Sequence, residues 1–277
     1  MRLKKCDCLL CSFENPKVTV NAIIIKDEKI LLGKRKLKEE PFYGKWDVFG
    51  GFLQKGETPE KALLREVKEE LGVGCKEYTL MGSFTGTSFY KVYKFPVTNL
   101  SYLVELDGEP KLNDDENSDI AWRELKTLRT VAFDSNQKVL KFLKQKFVWD
   151  FVKIKKLIFQ LDPNAVADEQ NIYKAMLNGY VSKVEKEGKL VGMGWIFPRQ
   201  TLLRKQAVVE DMIVDEKSRG KGYGENILLD LIRWAKSQGV EVVELTTNPR
   251  RVAANSLYKK IGFKLHETNH YLLNLKK

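Results

Sequence analysis

No apolar run in the 277-residue chain approaches the roughly 18 residues needed to span a bilayer, which argues against a membrane-spanning protein. The opening Met1-Arg2-Leu3-Lys4-Lys5 has the positive start of a secretory signal, but Asp7 and Glu14 cut the apolar stretch that should follow. A cytoplasmic location is therefore expected. Cysteine is scarce: Cys6, Cys8 and Cys11 cluster, and Cys75 stands far away. In a cytoplasmic chain such a cluster points to metal before disulfide, and Cys8-x-x-Cys11 has the spacing of one zinc knuckle. A closed tetrahedral site needs four ligands. No second knuckle follows, and the only histidines, His266 and His270, lie at the other end, so free thiols are expected. Internal repeats and low-complexity tracts are also lacking.

What remains is the composition of a soluble globular protein, long enough for two domains. The net charge of +11 suits polyphosphate ligands and would also suit nucleic acid. A lysine-rich solvated surface explains it as well, so charge alone selects no partner.

Val18 to Ile25 reads as a buried strand, with Lys29 to Gly33 as its partner across an Asp27-Glu28 turn. A loop rich in aromatic and turn residues runs from Pro41 to Gly51. A helix follows, capped by Thr58, begun by Pro59 and stopped by Gly72. Strands are expected over Glu77–Leu80, Lys91–Phe95 and Ser101–Glu105, and a helix over Asp134–Lys146. The pattern then restarts. Helices are expected over Phe151–Leu161, Glu169–Asn178, Gly224–Gln238 and Val252–Ile261. Strands are expected over Tyr180–Val184, Leu190–Phe197, Val208–Val214, Val240–Leu245 and Tyr271–Leu275. The junction near Phe147 to Phe151 lacks the Gly, Pro and Ser of a flexible linker, and its apolar run should be buried. The expected organisation is a Cys-containing flank over 1–15 and domains over 16–147 and 148–277.

Residues 51–73 read GFLQKGETPEKALLREVKEELGV. At about 100° per residue, Glu66, Glu69 and Glu70 fall on one helix face, while Leu63, Leu64, Val67 and Leu71 fall on another that can bury against a sheet. Three carboxylates so close repel one another unless a cation sits among them, and Mg²⁺ suits an all-oxygen set that keeps waters and phosphates in its shell. The alternative, a solvated acidic face, does not account for Gly51, Glu57, Arg65 and Gly72 standing in register as well. This pattern resembles the box of the Nudix hydrolase superfamily at every fixed position, and the resemblance extends from residue 16 to about 146. It implies an α/β/α sandwich, a nucleoside diphosphate linked to X as substrate, and Mg²⁺ or Mn²⁺ bound by Glu66, Glu69 and Glu70 with Gly51. It further implies that Arg65 orients a carboxylate, that Glu57 supports the site, and that Glu66 or else Glu69 takes the proton from water. Phe49 stands where the family commonly has Pro, which should alter loop stiffness and spare the chemistry. Phe42, Tyr43, Trp46, Phe89, Tyr90 and Tyr93 each offer a π face for a base.

Residues 208–224, VVEDMIVDEKSRGKGYG, read as strand, glycine turn and helix start. Arg219-x-x-Gly222-x-Gly224 leaves free backbone N–H groups at the positive end of a helix, which can hold a pyrophosphate. With Asn255, Tyr258 and Gly262-Phe263 downstream, the order resembles the GNAT acetyltransferase superfamily over roughly 165–277. The resemblance implies a mixed-sheet α/β fold, acetyl-CoA as cofactor and an amine as acceptor. It implies a diphosphate cradle of Ile213, Val214, Arg219, Gly220, Lys221, Gly222, Tyr223 and Gly224, with pantetheine between two splayed strands and Asn255 on the cofactor. Tyr258 would protonate the departing thiolate, and Glu210, or its rival Asp211, would take the amine proton. Tyr258 as a core tyrosine is an equally open reading.

The whole is thus expected to be a bifunctional two-domain α/β (α+β) enzyme. One alternative is a hydrolase whose second domain only binds acetyl-CoA, as sensor or scaffold, since the first GNAT strand is hard to place. Another, less favoured, is a basic nucleic-acid-binding protein, motivated by Lys138, Lys141, Lys144, Lys146, Lys153, Lys155 and Lys156.

Overall fold

A computed structural model of the chain describes residues 15–36, 38, 42–90, 93–113 and 116–275. The cysteine cluster at Cys6, Cys8 and Cys11 lies outside the described residues. The chain forms two compact units, one running to Phe151 and including Ala167–Leu177, the other holding Val152–Val166 and the chain from Asn178 onward. Among the described residues no helix is long and apolar enough to cross a membrane.

The first unit opens on β1 (Lys17–Ile23), which breaks at Ile24 before the short β2 (Ile25–Lys26). Only β2 folds back on β3 (Lys29–Arg35); β1 pairs in parallel with β6 (Tyr93–Leu106). The single strand expected over Val18–Ile25 is therefore two, in two sheets. A hairpin is visible in local sequence, whereas a parallel partner some 80 residues away is not. The three short strands expected between Glu77 and Glu105 are instead one long hairpin of β5 (Cys75–Tyr90) and β6. Two further strands, β4 (Trp46–Asp47) and β7 (Asn117–Glu124), pair with β3.

Helix α1 (Pro59–Leu71) starts as expected: the Thr58 hydroxyl accepts from the Lys61 N–H, and Gly72 closes the other end. Helix α2 spans Asp134–Phe147. Side chains alternate along a strand, so neighbours point to opposite faces. Val20 and Ala22 of β1 and Tyr102 and Val104 of β6 join Leu63, Val67 and Leu71 of α1 in one core. Asn21 and Asn99, on the same strands, bond instead to Asn136 of α2. The two helices thus cover opposite faces, giving an α/β/α sandwich.

Helix α4 (Glu169–Asn178) completes this unit. Tyr173 is fully buried, its ring 4.8 and 4.9 Å from those of Phe147 and Phe151. Its hydroxyl donates to Glu169, whose carboxylate also accepts the backbone N–H groups of Asp27 and Glu28 in the β2–β3 turn. Tyr173→Phe keeps the ring packing and removes one bond to a charged acceptor, so it is expected to cost about 1.5–3 kcal/mol. A lower urea midpoint with an unchanged slope would report that loss.

In the second unit, β8 (Tyr180–Lys186), β9 (Lys189–Gln200), β10 (Lys205–Val214) and β11 (Val242–Leu245) form one sheet in the order β11-β10-β9-β8. Helix α5 (Tyr223–Ser237) packs Ile227, Leu228 and Leu231 into its core, a 3-10 turn over Glu216–Ser218 precedes it, and the helices α3 (Phe151–Leu161) and α6 (Val252–Ile261) flank these elements in sequence. The strand expected over Tyr271–Leu275 does not form: the described chain beyond Phe263 carries no ladder and these residues are exposed. A run of large apolar residues fits a pleated surface, but without a paired edge that propensity has nothing to act on.

Candidate functional site

The three glutamates of α1 do not share one environment, and helix geometry says why. Taking Ala62 as zero, about 100° per residue puts Glu69, Glu66 and Glu70 near −20°, 40° and 80°. The buried residues Ala62, Leu63, Val67 and Leu71 span the arc from 0° to about 180° on the same scale. Glu66 and Glu70 therefore lie inside the buried arc, and Glu69 just outside its near end. Glu70 is buried, and its Oε2 accepts the Gly50 N–H at 2.7 Å. The Glu69 side chain is 58% exposed and turns to Arg65 at 3.0 Å. Leu64, expected in the apolar stripe, is 39% exposed because it falls just past the arc's far end.

Arg65 gathers the remaining carboxylates. Its Nε and Nη2 grip both oxygens of Glu57 at 2.9 and 3.0 Å, its Nη1 reaches Glu66 at 2.8 Å, and Nη2 also donates to the Phe52 carbonyl. This grip holds the Glu57 carboxyl below the usual carboxylate range. Burial pushes the Glu66 carboxyl up; Arg65 opposes the shift, and the negative charges of Glu69 and Glu116 add to it. Glu116 comes from the approach to β7 and carries no signal in the local sequence around α1. Gly51 packs directly on the Glu66 carboxyl, so any Cβ there would overlap it.

Gly51, Glu57, Arg65, Glu66, Glu70 and Glu116 all line one cavity of about 1130 Å³; Glu69 does not. The cavity continues over buried polar side chains. The Asn136 amide oxygen accepts from Asn21 at 2.7 Å and Asn99 at 3.1 Å, and its N–H donates to Asp47 at 2.8 Å. Burial pushes the Asp47 carboxyl up to about 6, against the Asn136 bond and the charge of Arg35. Of the aromatic residues expected to face a base, Phe89 and Tyr93 line the cavity. Phe42 packs edge-on against Phe133, Tyr43 is exposed, and Trp46 lies under the Arg123 guanidinium at 4.3 Å. The side chain of Tyr90 is outside the described set. Phe52, Phe95 and Phe133 also line the cavity and were not singled out by sequence.

The donor set fits a hard divalent cation in kind: only oxygen ligands are offered, and Glu66 sits in a surplus of negative charge that a cation would relieve. Among the described residues no three acidic, histidine or cysteine side chains yet converge on one point. Arg65 and the Gly50 N–H hold the carboxylates in this arrangement, with Glu69 off the cavity wall.

In the second unit, β10 pairs with β11 only over Gln206–Val209 and then continues paired with β9 alone. The register with β9 shifts between Glu210 and Ile213, and Asp211 has a left-handed φ of 51°. The resulting splay opens two adjoining hollows of about 480 and 620 Å³, with Met212, Arg251 and Tyr258 on the walls of both. Glu210 and Asp211 line the smaller hollow, together with Leu245 and Asn248 beyond the end of β11. Burial raises the Glu210 carboxyl, Asp211 adds to the shift, and His270 opposes it. Burial likewise raises the Tyr258 hydroxyl.

Ile213, Val214, Arg219, Gly220, Gly222, Tyr223 and Gly224 line the larger hollow. Gly222 has φ 79° and precedes the first turn of α5, whose N–H groups carry no side-chain cap. The left-handed turn is what glycine supplies here. Arg219 Nε donates to the Val214 carbonyl, closing the loop on the strand that feeds it. Two expected cofactor contacts lie elsewhere. Lys221 is exposed and off the hollow's wall, and the Asn255 amide donates to the carbonyls of Asn248 and Arg251, bracing the turn into α6.

These two sites coincide with two recognised domains. A family model for the NUDIX domain matches residues 15–145, and a model for the acetyltransferase (GNAT) family matches residues 148–263. The chain is 37% identical over 128 residues to an ADP-ribose pyrophosphatase of Methanocaldococcus jannaschii, covering 46% of this chain and 72% of that protein. It is 30% identical over 120 residues to an NAD-capped RNA hydrolase NudC of Haemophilus influenzae, covering 42% of this chain and 43% of that one. It is also 30% identical over 115 residues to N-acetyltransferase family 8 member 2 of Rattus norvegicus, covering 40% of this chain and 50% of the rat protein. The last two matches thus span about half or less of those relatives. The chain belongs to the NUDIX family of hydrolases, and to its NUDIX domain it joins a second domain of the GNAT acetyltransferase family.

Proposed function

We propose that the first unit hydrolyses the diphosphate of a nucleoside diphosphate linked to a second group X, and that the second unit transfers an acetyl group from acetyl-CoA to an amine. The observation that carries the first half is the single cavity shared by Glu57, Arg65, Glu66, Glu70 and a buried polar array. The activity named for the archaeal relative, an ADP-ribose pyrophosphatase, supports a diphosphate flanked by a nucleoside.

Glu66 and Glu70, with the Gly51 carbonyl and Glu69 once released from Arg65, would hold Mg²⁺ or Mn²⁺. When bound, such an ion neutralises phosphate oxygens and lowers the pKa of water. The remaining work falls to side chains. Glu66 takes the proton as the water oxygen bonds to phosphorus and the bridging P–O bond breaks. Its partly buried carboxyl is the more basic for its surroundings. Arg65 sets the direction of the Glu66 carboxyl, and Glu57, through its two-point grip, sets Arg65.

In the second unit the uncapped N–H groups at the start of α5 would hold the coenzyme diphosphate, and the splay between β10 and β11 would hold its pantetheine arm. The amine nitrogen attacks the thioester carbon, Glu210 or Asp211 takes the amine proton, and Tyr258 supplies one to the departing sulfur. Helix α3, standing where a first strand was sought, favours a second reading in which this unit binds acetyl-CoA without transfer.

A hydrolysis screen of nucleoside diphosphate derivatives with product identification tests the first half. Activity that needs Mg²⁺ and vanishes with a chelator is expected, yielding a nucleoside monophosphate together with the X-phosphate. No turnover across the panel would overturn it. Acetyl-CoA thiol release with a panel of amines tests the second half, and release with none would favour the binding-only reading.

A further inference from the structure

The glycine turn before α5 is fixed in place by a part of the chain that its own motif does not include. The ladder of β10 with β9 ends at Val214, opposite Gly192, and the Asp215 N–H makes one more bond to the Val191 carbonyl. From there to α5 the chain has no ladder. It passes through the 3-10 turn and then through Gly220 and Gly222, whose φ angles of 75° and 79° are left-handed. Such a segment loses much conformational freedom on closing around an anion, unless something orders it beforehand.

Helix α3 provides that order. Lys153 and Gln160 stand two helical turns apart and so share one face. Lys153 Nζ donates to Asp215 Oδ2 at 3.0 Å and Gln160 Nε2 donates to the same oxygen at 3.2 Å, while Oδ1 accepts the Lys217 N–H at 3.1 Å. The Gln160 amide oxygen accepts the Glu216 N–H at 3.1 Å. A primary amide donates and accepts at once, and this position uses both functions. Asp215 is only 9% exposed, so its carboxylate has left water and is matched by charge-assisted bonds. Asp215 is on the wall of neither hollow, whereas Gln160, Glu216, Ser218 and Arg219 line the larger one. The clamp therefore sits directly behind the surface that would meet the diphosphate.

We propose that Lys153, Gln160 and Asp215 are positioning residues that order the diphosphate loop before the coenzyme arrives, which makes α3 a part of the coenzyme site. This rests on the coenzyme-binding reading of the larger hollow, and it holds whether or not acetyl transfer follows. A loop already in its bound shape gives up less of the interaction energy to ordering, so affinity rises without a new contact to the ligand.

The test reads loop order and coenzyme affinity in the full chain and in Gln160→Ala, Asp215→Asn, Lys153→Met and Lys153→Arg. Hydrogen exchange in the free proteins follows the Glu216, Lys217 and Ser218 amides, each of which is hydrogen-bonded here. Calorimetry follows the binding of coenzyme A. The first three variants are expected to exchange about tenfold faster over residues 216–218 and to raise the Kd for coenzyme A about tenfold, with exchange in β8 and β9 unchanged. Asparagine at 215 belongs among them because its N–H groups would face the donors of Lys153 and Gln160. Lys153→Arg keeps the ion pair and should bind within about threefold of wild type. Faster loop exchange with an unchanged Kd would overturn the inference, as would unchanged exchange. Acceleration across the whole sheet, or loss of the folded state in all four variants, would also overturn it by making these contacts purely structural. Failure of the coenzyme reading is distinguishable: the wild type then binds no coenzyme A, and the inference falls with it.

Discussion

Glu66→Gln is expected to lower kcat/KM for diphosphate hydrolysis by about 10³-fold, close to 4 kcal/mol of transition-state stabilisation. The substitution preserves shape and the contact with Arg65, but it removes both the negative charge and the proton-accepting oxygen. Glu66 is 14% exposed at its side chain, packs on Gly51 and faces the cavity, so neither water nor a neighbour replaces what is lost. Glu69→Gln is the informative contrast. Its side chain is 58% exposed and lies off the cavity wall, so a loss of only about tenfold would assign it to tuning Arg65 and count against the cation-holding role proposed for it. An equal loss in the two variants would mean that Glu69 swings into the site during turnover. Coenzyme binding by the second unit should be unaffected in both, since its hollows are lined by residues 160–162 and 209–258 alone.

The contrast between these two glutamates also marks what the sequence could and could not convey. Spacing put Glu66, Glu69 and Glu70 on one side of α1, and the Thr58 cap and Gly72 stop were readable because they act within a few residues. The edge of the buried arc was not readable, because it depends on what packs against the helix. Leu64 and Glu70 exchanged their expected environments for that reason. Residues brought in from afar left even less trace. Asn21 and Asn136 are 115 positions apart and meet only because β1 pairs in parallel with β6 beneath α2. The glycine turn before α5 was legible as a local motif, whereas the aim of the Asn255 side chain depended on carbonyls that the fold left for it to satisfy. Tyr271–Leu275 had strand-like composition and no edge to complete.

Gly50 and Gly51 are adjacent, yet alanine at each should fail in a different way. Gly50 has φ 135°, and a Cβ there would drive into the backbone carbonyl of Val20, which is held in strand β1 by its ladder with β6 and cannot yield. Strain at a backbone position of this kind, together with overpacking, is expected to cost about 3 kcal/mol or more. The same shift would break the 2.7 Å bond from the Gly50 N–H to Glu70, leaving a buried carboxylate short of a donor. Gly50→Ala should therefore lower the unfolding midpoint of the first unit and, with it, hydrolysis. At Gly51 the added methyl would meet the end of the Glu66 side chain instead, and a side chain can move. Gly51→Ala is expected to keep nearly wild-type stability while losing hydrolysis about as severely as Glu66→Gln, because the carboxyl is displaced from its place beside Arg65. Thermal unfolding and turnover measured on both variants would separate the two roles. A Gly51→Ala protein with full activity would show that the position of the Glu66 carboxyl does not limit the reaction.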